Sequence, residues 1–90
     1  MADKISVDPD HLEHVAFRFG VEAEILRTII AESRNRLRAL EASWEGQVEA
    51  DFMGKYELAE ASLRKVPEIF DIIKANLKSA ASRFRAADKT

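Results

Sequence analysis

The chain has 90 residues, 47% of them hydrophobic and 33% charged, with a formal net charge of -2 and no cysteine. That length makes one domain near the lower limit for a self-sufficient core, and the apolar share is too high for a disordered segment. Disulfides, thiolate metal sites and cysteine nucleophiles are excluded, and a slightly acidic balance argues against a general nucleic-acid binder.

The N-terminal stretch Met1–Ser6 is polar and lacks the apolar core of a cleaved signal, and no run is long and apolar enough to span a bilayer. Any export is therefore expected to need no cleaved signal. At Asp8-Pro9-Asp10 the pattern turns helical. Asp8 can cap free amides, Pro9 suits the first helical position, and Asp10 favours the positive end of the dipole.

From there Leu12, Ala16, Phe19, Ala23, Leu26, Ile30, Ser33, Leu37, Leu40 and Trp44 recur in steps of four and three. This is the spacing of a helix packed at a shallow angle on a neighbour. Phe17, Val21, Ile25 and Ile29 form a second apolar stripe that a lone hairpin would leave wet, so they are read as a dimer interface. The run Arg34, Arg36 and Arg38 fans out around the helix and reads as a solvated face.

Ser43-Trp44-Glu45-Gly46 is the first credible turn, with Gly46 free to adopt a left-handed conformation. A bulky indole followed by glycine is not the cheapest way to turn a chain, so core filling only partly accounts for Trp44. Beyond the turn, Phe52, Tyr56, Ala59, Leu63, Val66, Phe70, Ile73, Leu77, Ala80, Phe84 and Ala87 repeat the four-three spacing. Pro67 is expected to kink this second helix without ending it, because the spacing keeps phase across it.

The reading is an all-α, antiparallel helix-turn-helix hairpin occupying 1–90: a helix over about 9–42, a turn at 43–46 and a helix over about 47–87. Each helix is roughly 50–60 Å long at 1.5 Å per residue. Hairpin closure sets Phe70 opposite Ala16, Gly20 and Ala23, small residues able to accept its ring. It also sets the acidic start (Asp3, Asp8, Asp10, Glu13) beside the basic end (Lys74, Lys78, Arg83, Arg85, Lys89). The unspent apolar stripe predicts that two hairpins pair into a four-helix bundle.

No catalytic constellation emerges. His11 and His14 lie three apart, without the four-residue spacing and intervening glutamate of a zinc protease, and read as surface histidines. The carboxylates are dispersed among Lys and Arg, and no phosphate loop or nucleophile motif is present. The chain is read as a protein-binding module, not an enzyme, with no metal, cofactor, nucleic acid or small-molecule substrate expected.

Trp44-Glu45-Gly46 is a W-x-G tripeptide midway between two long amphipathic helices. With the chain length and all-helical pattern, it resembles the WXG100, or ESAT-6-like, family of type VII secretion substrates. The resemblance covers nearly the whole chain. It implies a secreted helical hairpin, made in the cytoplasm, that pairs with itself or with a paralogous WXG protein. It also implies recognition by the membrane ATPase of the secretion system, and a role as effector, carrier or structural protein. The family's C-terminal export signature is a tyrosine followed four residues later by an acid. Here it would fall on Phe84 and Asp88, with phenylalanine in the tyrosine's place. Trp44, Gly46, Phe84 and Asp88 are thus the implied recognition residues. Two alternatives from other classes are a cytosolic coiled-coil adaptor or chaperone that is not exported, and a nucleic-acid-binding helical arm using Arg34, Arg36 and Arg38.

Overall fold

The computed structural model describes residues 7–44 and 47–88. Three helices follow one another: α1 (Pro9–Glu41), α2 (Gln47–Leu63) and α3 (Lys65–Asp88). No strand occurs among the described residues. α1 forms one arm of a hairpin, and α2 with α3 forms the other, in a rod of 68 × 21 × 17 Å.

The helix ends have local causes. Asp8 is extended (φ -91, ψ 112) and its carboxylate accepts from the Asp10 amide at 2.9 Å, with Pro9 following in the first turn. At the other end of α1 the Ser43 and Trp44 amides donate to the carbonyls of Leu40 and Glu41, each at 3.0 Å, and tighten the last turn. Glu45 and Gly46 lie outside the described residues, as do Asp3 and Lys89.

The second arm is interrupted at one residue. Arg64 is a turn between α2 and α3, although its amide still reaches the Glu60 carbonyl at 2.9 Å. Pro67 is the cause: it has no amide to offer the Leu63 carbonyl, and its ring crowds the preceding turn. Pro67 is nevertheless fully buried. The residue read as a helix breaker is also part of the packing surface.

That packing surface differs from the expected one. On α1 the buried residues are Ala16, Ala23 and Ile30, members of the expected series. On the second arm, Glu60, Pro67 and Ala81 are buried instead of the apolar series. Val66, Phe70, Ile73, Leu77 and Ala80 are only half-buried, and Ala59, Leu63 and Phe84 are exposed. The second arm thus turns small and charged residues toward α1 and leaves much of its apolar edge partly open.

Residue size sets the spacing of the arms. α1 runs close to α3 along most of its length and meets α2 at few positions. Ala16, Gly20, Ala23 and Ala81 carry little or no side chain, so the α1 and α3 backbones approach closely. Gly20 faces Lys74 and not Phe70: a Cβ there would lie 2.8 Å from the lysine Nζ and 3.1 Å from its Cδ. Phe70 instead sets its ring edge-on against Phe19, with centroids 5.3 Å apart and planes at 89°.

Candidate functional site

The contact line between the arms has two unlike edges. Along one edge, charges pair from arm to arm. Arg85 donates to Asp10 and Glu13, and Arg27 donates to Asp71 and to Glu24 of its own helix. This realises the expected pairing of acidic start with basic end through Arg85. In each case the hydrogen bonds to carboxylates raise the arginine above its ordinary value. These pairs are exposed and screened by solvent, so they contribute more to register than to stability.

Nearer the tip the same edge becomes partly buried, and Arg34 departs from the solvated-face reading. Its guanidinium grips Glu60, with Nε 3.1 and 3.0 Å from the two oxygens and Nη2 2.7 Å from one, and it also reaches Glu57 at 3.0 Å. Tyr56 Oη donates to Glu60 at 2.8 Å and Arg64 Nε donates at 3.2 Å. The Glu60 side chain is 4% exposed. Hydrogen bonding from Arg34 pulls its carboxyl down to about 2; burial pushes the other way, and the Tyr56 and Arg64 bonds add to the lowering. Sequence reasoning missed this cluster. Its signal was the spacing Tyr56, Glu60, Arg64, in steps of four on one face of α2.

The other edge is apolar. Leu12, Val15, Phe19 and Leu26 on α1 and Val66, Phe70, Ile73, Leu77 and Ala80 on α3 are half-buried there, joined across the arms by the Phe19–Phe70 contact. Ile29, 49% exposed, continues this edge. The rest of its expected stripe lies elsewhere. Val21 and Ile25 stand two residues from buried Ala23 on either side, which puts them on the far side of α1. Phe17 borders a groove with Glu13, Lys74 and Lys78 on the ionic side. Spaced by four, the four residues form a slanting stripe that runs from the ionic side across the far side of α1 to the apolar edge.

Trp44 sits at the tip, 38% exposed, edge-on to Phe52 with centroids 5.4 Å apart. Phe84, 41% exposed, lines a shallow groove with Ala80, Arg83 and Ala87 near the other end of the rod, and Asp88 is the last residue of α3. One chain does not bring Trp44 and Phe84–Asp88 together. Gly46 lies outside the described residues. Among the described residues no group of three or more metal-ligating side chains converges, and no helix is long and apolar enough to cross a membrane.

A two-helix hairpin with an aromatic tip at a W-x-G tripeptide can be compared with known proteins. The WXG100 family, described as proteins of 100 residues with WXG, matches residues 4–89. The chain belongs to this family. Protein YukE of Bacillus subtilis (strain 168) is 25% identical over 89 residues, which is 99% of this chain and 92% of that one. The crystal structure of EsxB from Bacillus anthracis str. Sterne, described as a secreted protein, superposes with a TM-score of 0.84 at 28% identity. The match covers 98% of this chain and 99% of that one. EsxA of Geobacillus thermodenitrificans shares the fold at 23% identity and a TM-score of 0.83, covering 96% and 94% of the two chains. WXG100 hairpins of this kind are all-helical, and so is this one.

Proposed function

We propose that this chain is a non-catalytic, protein-binding hairpin that pairs through its apolar edge into a four-helix bundle and leaves the cell by a type VII-like secretion system. The observation that carries the reading is the family match across almost the whole chain, in a hairpin whose second arm keeps its apolar edge open. An edge lined by Phe19, Leu26, Ile29, Phe70, Ile73 and Leu77 is larger than one hairpin needs, and apolar surface of that extent marks an interface. The resemblance to EsxB, a secreted protein, supports export.

The recognised species is the folded dimer, read by the membrane ATPase of the secretion system. In an antiparallel dimer the Trp44 tip of one chain stands beside the Phe84–Asp88 end of its partner, so each end of the bundle carries a composite site. Phe84 supplies the apolar anchor and Asp88 its polar companion, while Trp44 and Gly46 shape the adjoining tip.

The test is the amount of protein in culture supernatant, with and without the system's membrane ATPase. Wild type should appear outside only when the ATPase is present. Phe84→Ala and Asp88→Ala should remain inside while keeping helical content and dimer. Equal release in the ATPase-deleted strain would overturn the reading.

A further inference from the structure

On the ionic side of the hairpin, charge answers charge from arm to arm at both ends and in the middle. Asp10 and Glu13 hold Arg85, Arg27 holds Asp71, and Arg34 holds Glu57 and Glu60. One level breaks the pattern. Between the Arg85 and Arg27 pairs, α3 presents two cations four residues apart, Lys74 and Lys78, and α1 answers with Phe17 and Gly20. Neither lysine makes an ion pair among the described residues. The carboxylates on either side are already engaged, Glu13 with Arg85, and Glu24 and Asp71 with Arg27.

Phe17 stands four residues after Glu13, where one more acid would have closed the row against these lysines. An aromatic ring, 62% exposed, takes that place. Ring and cations meet in one groove of about 380 Å³, lined by Glu13, Phe17, Lys74 and Lys78. Packing holds it in shape. The Lys74 stem lies over Gly20, so closely that a Cβ there would meet its Cδ at 3.1 Å, and this sets the half-buried lysine's ammonium on the α1 surface one turn from Phe17. A cation in that position has given up part of its hydration without gaining a counter-charge. A carboxylate from another molecule would supply it.

Charge complementarity narrows the occupant. An extended anionic surface, such as a bilayer or a nucleic-acid backbone, would press its charge on Glu13, Glu24 and Asp71 as well as on the lysines, in a chain of net charge -2. A helix offers acids at single points: glutamates four residues apart are neighbours on one face, as the two lysines are. We infer that this groove docks an amphipathic acidic helix of a partner protein, which lays an apolar side chain on Phe17 and sets carboxylates against Lys74 and Lys78. The site lies on the flank of α1 opposite Phe19 and Leu26, so pairing through the apolar edge leaves it open.

The probe is a synthetic amphipathic helix of about 15–20 residues, with leucines along one face and two glutamates four residues apart beside them. Its control carries glutamine for each glutamate. Titrated into the folded, isotopically labelled protein, the acidic peptide should shift the amide signals around Phe17, Lys74 and Lys78. It should bind roughly tenfold more tightly than the control, an advantage that shrinks as salt is added. Phe17→Glu supplies the missing acid from within the chain, so it should abolish that advantage while leaving helical content and self-association as in wild type. Lys74→Gln combined with Lys78→Gln should abolish it by removing the cations. Equal binding of the two peptides, or shifts confined to the Phe19–Phe70 side, would overturn the inference. Loss of self-association in Phe17→Glu would also overturn it, by making a second copy the occupant. Sedimentation with phosphatidylglycerol vesicles that disappears in the lysine variant would do so by making the occupant a lipid surface.

Discussion

Toward α3, the first arm presents Ala16, Gly20 and Ala23; toward α2, it presents Arg34 and Leu37. The α1–α3 half closes by backbone approach, with Ala16, Ala23 and Ala81 fully buried, while among the described residues of α2 the buried one is Glu60. One half is thus held by shape and the other by a charge cluster. Close packing is intolerant of added volume and indifferent to pH. A buried carboxylate tolerates small changes of shape but depends on its protons and its partners.

The largest effect should come from adding volume to the close half. Ala23→Leu places an isobutyl group where no exposed surface remains, and α3 must move away to admit it. The cost should be about 1–3 kcal/mol, read as a fall in thermal midpoint at fixed protein concentration, since pairing would make the midpoint concentration-dependent. The same exchange at exposed Ala61 on α2 should leave the midpoint almost unchanged. Similar losses at both sites would mean that α1 and α3 are not closely packed at Ala23.

The charged half should break through its protons. The folded Glu60 carboxyl sits at about 2 against an ordinary value of 4.5, so folding favours its ionised form. Its contribution is complete above about pH 4.5 and is lost as the pH falls from there toward 2. Glu60→Gln should lower the midpoint at neutral pH, because half-buried Arg34 keeps only Glu57. It should also flatten the decline between pH 4.5 and 2. Equal acid slopes for the two proteins would assign that decline to other carboxylates.

The contrast between the halves explains what could be read from the chain alone. The helical periods, the Asp8–Pro9 start and the Trp44 tip are consequences of local sequence, and all were legible. Which side of the second arm faces the first was not. Apolar spacing pointed to the series containing Val66, Phe70, Ile73 and Leu77, but burial falls on Glu60, Pro67 and Ala81. Hydrophobic periodicity reports that a face is to be buried, not by what. When a hairpin must meet both its own arm and another molecule, the strongest apolar series can belong to the second contact. Glu60 and Pro67 were passed over for the same reason: each looks adverse in isolation and becomes favourable only through a partner on another turn or another helix. The proposed recognition residues rest on family likeness, and a single chain holds Trp44 and Phe84 apart.

The smallest effect should separate the two described helical glycines, one in each half. An added Cβ at Gly54, in α2, would meet nothing within 4 Å. Gly54→Ala therefore changes little but the backbone freedom of the unfolded chain, and should stabilise by about 1 kcal/mol. Gly20, in the close half, has the same helical preference for alanine, but its Cβ would fall 2.8 Å from Lys74 Nζ and 3.2 Å from its Cε. Those atoms belong to the far end of a flexible side chain, so the lysine can swing aside, giving up its packing across α1 but breaking no ion pair among the described residues. Gly20→Ala should then gain less than Gly54→Ala. The gap should narrow in Lys74→Ala, where the obstructing stem is gone. Thermal midpoints of the single and combined variants measure this coupling directly. If Gly20→Ala gains as much as Gly54→Ala whether or not Lys74 is present, the lysine stem does not rest on Gly20, and the close approach of α1 and α3 at that level is carried by the alanines alone.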